Sequence, residues 1–187
     1  SGNVAVVSNA TYPPHRVDAC TAPHSAQWYA AIGRAAHTTV RGRVVGLVAR
    51  ARASDLQPGD ILAAAYSAGD AHGHTMVVGD ARVDGAGLAV PALGEAPVDR
   101  WRVEVHDSTA TPHGPTDSRW RRDAGAHDEG IGRGELFVFA AHDTGVIIGW
   151  TWSVTSTTVY QGTAPTEANY RPLVAGALEM AGPATVD

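Results

Sequence analysis

The chain has 187 residues, a formal charge of −5 at neutral pH and 44% hydrophobic residues, which fits one domain around a sizeable core. The acidic balance argues against a nucleic-acid partner, because such binders carry a basic face, and no run approaches the roughly 20 apolar residues of a membrane span. All 14 basic residues are Arg, a coding bias of a GC-rich genome rather than a chemical signal.

Residues 1–24 read as irregular, since Pro13-Pro14 blocks a helix and Pro23 suits only a first turn. The opening "SGNVAVVSNATYPP" lacks the charged start and long apolar stretch of a secretory signal. A mature terminus of an exported precursor stays open. Cys20 is the single cysteine, so it makes no internal disulfide and no zinc-finger spacing. The ordinary fate of such a thiol is burial as a small hydrophobe.

"SAQWYAAIGRAA" over 25–36 predicts a helix with Trp28, Ile32 and Ala35 on one face. "TTVRGRVVGLVARARA" suits a short helix or a strand equally well. Pro58-Gly59 signals a turn, with Asp60 leading into an apolar run. Four further runs rich in β-formers follow: "HTMVVGDARV", "RWRVEVHDST", "GELFVFAAH" and "VIIGWTWSV". In "VEVHD", Val103, Val105 and Asp107 alternate with Glu104 and His106, the period of a half-buried strand. "DTG" marks a hairpin between the last two runs, and "RPLVAGALEMAG" suits a short closing helix. The expectation is a single α+β domain over 1–187, with the early helix packed on about five antiparallel strands in a twisted or barrel-like sheet.

Two chemistries compete for the histidines. His72-x-His74 can hold a metal if both side chains share a strand face, with His106, Asp107 and His113 as further ligands. Against it, "GDAHGH" reads as loop, where His72 is an ordinary exposed residue. The other chemistry is nucleophilic. A thiol needs help to become thiolate, which a helix start and an imidazole both supply, and the imidazole needs an acceptor on its other nitrogen. Cys20 before the helix, His74 opening one strand and Asp107 closing the next provide those parts in order. Spacing alone does not choose between these chemistries, nor against a strand-end histidine and a turn-capping aspartate.

"DLQPGDILAA…GHTMVVG" resembles the segment of NlpC/P60-type, papain-like cysteine hydrolases in which a "PGD" turn leads into a strand and the next strand opens on the catalytic His. "VEVHDSTATPHGPTDSRW", "GIGRGELFVF" and "VIIGWTWS" resemble a group of bacterial proteins with that core, in which the "DST" strand supplies an acidic third residue. The likeness covers about residues 54–154 and implies a papain-like α+β fold and no cofactor. It makes Cys20 the nucleophile, His74 the general base and acid, and Asp107 the orienting residue, with Tyr12 as an oxyanion donor. The implied substrate is an amide in a peptide or peptidoglycan fragment of the bacterial cell wall. One departure stands in the nucleophile segment, where the family has "DCSGF" and this chain has "DACTAPHSAQW".

Three smaller features remain. "GIGRG" leads into a strand rather than a helix, so it reads as a tight turn and not as a phosphate loop. "DSRWRR" reads as a solvated loop in which Arg119 and Trp120 can line a groove and meet a substrate carboxylate or sugar face. Trp150 and Trp152 share one face of the last strand and read as core. The alternatives to a cysteine hydrolase are a metal-dependent hydrolase using His72, His74 and His106, and a binding module with a disabled site.

Overall fold

A computed structural model describes residues 25–34, 37–40, 43–66 and 73–183. One helix, α1 (Ser25–Gly33), precedes β1 (His37–Val40), β2 (Arg43–Ala49), β3 (Ile61–Ala64), β4 (His74–Leu88) and β5 (Val98–Thr109). Then come β6 (Trp120–Arg121), β7 (Ala126–His127), β8 (Gly130–Ala141), β9 (Ile147–Thr151), β10 (Val159–Gln161) and β11 (Leu173–Pro183). Nine strands form one sheet in the order β1-β2-β11-β3-β4-β5-β8-β9-β10, and β6 with β7 makes a separate small hairpin. Every strand pair is antiparallel.

This corrects the expected papain-like α+β class: the molecule is mostly β, with one nine-residue helix among the described residues. The five strands expected from the sequence are β3, β4, β5, β8 and β9, which lie side by side in the sheet. The difference lies in the flanks. "RPLVAGALEMAG" forms a strand, not a helix, and β11 is inserted between β2 and β3. A strand with neighbours on both edges needs no polar alternation when both faces are covered, and Ala175, Gly176 and Ala177 are all buried. The ambiguous run after the helix resolves into β1 and β2.

The "QPGD" turn fixes where β4 begins. Gly59, at φ 93, donates its N–H to the Val78 carbonyl (2.8 Å), and Val78 donates back to Asp60 (2.8 Å). The Asp60 carboxylate, buried, receives the Gln57 N–H at 2.9 Å and closes the turn. With Ile61 paired to Val77, the register runs on to place Ala64 opposite His74.

All four residues of β3 are buried because the strand is covered on both faces. Leu62 and Ala64 join the larger core with Met76, Val78, Val103, Val105, Leu136, Val138 and Trp150. Ile61 and Ala63 face the other way, against Ala31 and Ile32 of α1 and Leu47 of β2. Each large apolar side chain so buried contributes about 1.5–3 kcal/mol. A third cluster, around Val98, Phe137 and Phe139, fills the far end of the sheet. The chain after β2 also reaches the start of β9, where Ala53 donates to Gly145 and Ile147 to Ala51, both at 3.0 Å.

Gly176 sets how closely α1 approaches the sheet. A β-carbon there would stand 2.9 Å from Ile32 Cγ2 and 3.1 Å from the Val48 carbonyl oxygen. Gly176→Ala is therefore expected to lower the unfolding free energy by about 1–3 kcal/mol through overpacking. Urea denaturation checks this, and an unchanged midpoint would mean that the helix does not lie on β11.

Candidate active site

The pleat of β5 sends alternate side chains to opposite faces. Val105 and Asp107 turn inward, while His106 stands exposed on the outer face, 3.7 Å from Glu104. The Asp107 side chain has no accessible surface. A carboxylate removed from water must replace its hydration with donors, and three reach it. His74 Nε2 lies 2.5 Å from Oδ2 and His113 Nε2 lies 2.9 Å from the same oxygen. Arg119 donates from Nη2 to Oδ1 at 2.8 Å. Burial alone would push the Asp107 carboxyl up; hydrogen bonds from His113 and His74 outweigh it and hold the group well below the usual carboxylate range.

His74 is the first residue of β4 and follows Gly73, which sits at φ 119. A β-carbon on Gly73 would collide with the Ala64 carbonyl oxygen and come within 3.1 Å of Ser25 Cβ. The start of α1 therefore lies against the residue that precedes His74. The imidazole is 13% exposed, and Asp107 engages its Nε2. Its Nδ1 makes no hydrogen bond among the described residues. The ring packs tilted against Trp152, centroids 4.9 Å apart.

His113, Asp117 and Arg119 come from the loop between β5 and β6. Asp117 organises it: Oδ2 accepts the His113 N–H at 2.7 Å, and Oδ1 accepts the Arg119 N–H at 2.9 Å. The same carboxylate takes Arg119 Nε at 2.9 Å and Nη2 at 2.7 Å. Burial raises the Asp117 carboxyl, but the Arg119 guanidinium and the two backbone N–H groups bring it below its ordinary value. Asp117 in turn raises Arg119, against the opposing effect of burial and with help from Asp107. Trp152 fastens the loop to the sheet through its indole N–H on the Pro112 carbonyl (3.0 Å) and a stack with the His113 ring at 4.3 Å.

The "GIGRG" segment is the floor under these side chains. In β8, Gly132 lies opposite Asp107 and Gly134 opposite Val105. A β-carbon on Gly132 would meet Arg119 Cδ and Cγ at 2.7 Å, and one on Gly134 would collide with His113 Cβ and stand 2.8 Å from Asp117 Oδ2. Bare backbone at both positions lets the buried polar side chains lie flat on the strand.

Of the residues singled out in the sequence, the structure joins His74 to Asp107 and puts His106 on the opposite face. Tyr12, Cys20 and His72 lie outside the described residues, so the set His72, His74 and His106 is not assembled among them. Arg119 is 4% exposed and committed to Asp107, Asp117 and the Gly130 carbonyl, so its guanidinium lies inside the protein rather than at a surface groove. Trp120 is 37% exposed and stacks at 8° on His127 in the β6–β7 hairpin. Sequence reasoning missed Asp117 and Trp152 as parts of the site and weighed His113 only as a ligand. The spacing from Asp107 to His113 to Asp117 to Arg119 was the available signal.

Ligand atoms of His74, Asp107 and His113 lie within 4.8 Å of one another, near enough to invite a metal. Their geometry is that of hydrogen bonds instead. Two donors on a tetrahedral ion at about 2.0–2.1 Å stand roughly 3.3 Å apart, whereas both imidazoles contact the carboxylate at 2.5 and 2.9 Å. Arg119 already supplies a cation to the same carboxylate.

No family model matches the chain, and no solved structure matches its fold. An uncharacterised protein of Acanthamoeba polyphaga mimivirus is 35% identical over 81 residues, which is 43% of this chain and 32% of that protein. The match spans about a third of the viral relative's length, so the likeness is local.

Asp107→Asn would break a buried pair while leaving its partners in place, an expected loss of about 3–5 kcal/mol. The two lowered carboxyls also set a direction in pH. Their contribution is complete above the unfolded-state value of about 3.9 and declines as pH falls toward the depressed native values. Urea midpoints measured downward through pH 4 to pH 3 are expected to drop below about pH 4 as these carboxylates take up protons. In Asp107→Asn that drop is smaller and the stability at pH 7 already low.

Proposed function

We propose that this chain is a cysteine hydrolase that cleaves an amide bond, with Cys20 as nucleophile, His74 as general base and acid, and Asp107 as the orienting group. The observation that carries the reading is the His74–Asp107 contact. It commits Nε2 to a buried carboxylate and leaves Nδ1, on a partly exposed ring, without a partner among the described residues. That is the arrangement a thiol base requires.

The position of α1 supports the same reading. Ser25 lies against Gly73, and Cys20 is five residues before it, a distance the chain covers in at most roughly 18 Å. That sequence separation is short enough for a thiol at position 20 to reach the His74 end of the sheet. As the sole cysteine it is the only thiol available.

In the proposed reaction His74 Nδ1 takes the Cys20 proton, and the thiolate attacks the amide carbonyl. His74 returns the proton to the leaving amine as the C–N bond breaks. A water then gives its proton to His74 and cleaves the thioester, releasing the acid and restoring the thiol. The Cys20 backbone N–H and the Tyr12 hydroxyl are the oxyanion donors in this scheme, which uses no cofactor. Peptides of the bacterial cell wall are the substrate class implied by the likeness of the "PGD", "GHTMVVG" and "HDST" segments to NlpC/P60-type hydrolases.

The test is the rate of iodoacetamide labelling of Cys20 against pH, followed by intact mass, in the wild type and in His74→Ala. A free thiol loses reactivity below a pKa of about 8.5, and an imidazole-paired thiolate stays reactive several units lower. Fast labelling near pH 6 that vanishes in His74→Ala is the expected result. Ordinary thiol behaviour in both proteins would remove the catalytic reading and leave a binding module.

A further inference from the structure

His113 makes two ring hydrogen bonds, and both partners are acceptors. Its Nδ1 lies 2.5 Å from the Trp152 carbonyl oxygen, which has no proton to give. Its Nε2 lies 2.9 Å from Asp107 Oδ2, an oxygen of a carboxylate whose other oxygen is paired with the Arg119 guanidinium at 2.8 Å. A neutral imidazole donates from one nitrogen and accepts at the other; only the doubly protonated ring donates from both. With a single ring proton, one of these contacts would set lone pair against lone pair in a site with no access to water, since His113 is 0% exposed.

The charge balance around the ring agrees. The groups facing His113 are Asp107 and His74 from β5 and β4, Asp117 and Arg119 from its own loop, and the Trp152 ring and carbonyl. Asp107, Asp117 and Arg119 are all buried. Two carboxylates against one guanidinium leave one negative charge uncompensated in a place where that is costly. One more proton on His113 makes the cluster neutral.

We propose that His113 is a buried imidazolium and the positioning residue of this site, donating from both ring nitrogens to clamp Asp107 Oδ2 between itself and His74. The proton count stands on hydrogen-bond geometry and the charge balance around the ring; its bearing on Cys20 rests on the reading of His74 as that thiol's base. As a positioning group His113 does two things. It holds the carboxylate at the rotation that meets His74 Nε2. It also places a positive charge 6.1 Å from the His74 ring, which opposes protonation of His74 and keeps that ring available as a base.

Side-chain 15N NMR of the full chain tests this, with the His113 signals assigned by their loss in His113→Gln. At pH 7.5 the wild type is expected to show protons on both His113 nitrogens. An unprotonated ring nitrogen on His113 would overturn the proposal, whatever the variant does. In folded His113→Gln the transition of the His74 ring is expected to move to higher pH by roughly 0.5 to 2 units, the range for a unit charge at that distance between effective dielectrics of about 80 and 20. A His74 transition that does not move would overturn the electrostatic role, since packing alone predicts no shift. Should the variant fail to fold, the His113 ring signals are assigned by through-bond correlation to its own backbone instead, and the wild-type spectrum still decides the proton count. Failure of the cysteine-hydrolase reading shows separately, as ordinary Cys20 labelling in a protein whose His113 carries both protons.

Discussion

A carboxylate with no accessible surface lies at the centre of this structure, and much of the chain around it is arranged to make that burial tolerable. Moving such an ion out of water costs several kcal/mol even after the protein relaxes. Asp107 recovers this with two imidazole donors on one oxygen and a guanidinium on the other. Each donor fixes a separate stretch of chain. His74 ties down the start of β4, and His113 and Arg119 tie down both ends of the loop that follows β5. Asp117 then balances Arg119 and caps the loop backbone, so the network closes on itself with few polar atoms left over. A partly satisfied network of this kind would be worse than an apolar core, which is why the glycines beneath it matter as much as the charges within it.

The outer face of the same strands makes a useful contrast. Arg82, Arg100 and Arg102 pair there with Asp80, Asp84 and Glu135, and two of these guanidinium groups sit over the Phe137 ring. These ion pairs outnumber those of the site, yet they are partly to largely exposed, and pairs of that kind are worth about 0–1 kcal/mol each. They make the far half of β4 and β5 soluble without fixing anything. The inward face carries fewer charges and decides more, because removing one of them leaves the rest unpaired away from water.

What the sequence made legible was the local part of this arrangement. The alternation in "VEVHD" assigns Asp107 inward and His106 outward, and the "PGD" turn and the "HTMVV" run place β3 and β4 correctly because each signal is complete within a few residues. β2 and β11 escaped for a physical reason. A central strand covered on both faces has no polar alternation, and a run of Ala, Gly, Val and Leu then reads equally well as helix. The loop residues escaped for another. "DSRWRR" is charged enough to look solvated, and only the fold shows that Asp117 and Arg119 turn inward while Arg121 stays outside, paired with Asp128. "GIGRG" reads as a turn because the side chains that need its missing β-carbons come from residues 113–119, on another segment of the chain.

The pairing of Asp107 with His113 also bears on why an acid occupies a place where a neutral amide would orient His74 equally well. An amide oxygen accepts a hydrogen bond from His74 Nε2–H, so orientation by itself does not call for charge. With an amide there, Asp117 and Arg119 would neutralise each other, and a second proton on His113 would leave an uncompensated buried cation. With the acid there, that proton is what makes the cluster neutral. Asp107 and His113 are therefore electrically matched, and a change at one is costly unless the other changes with it. The carboxylate's negative charge would on its own draw a proton onto His74. The His113 charge opposes that pull, so that the ion orienting His74 is balanced by a second one.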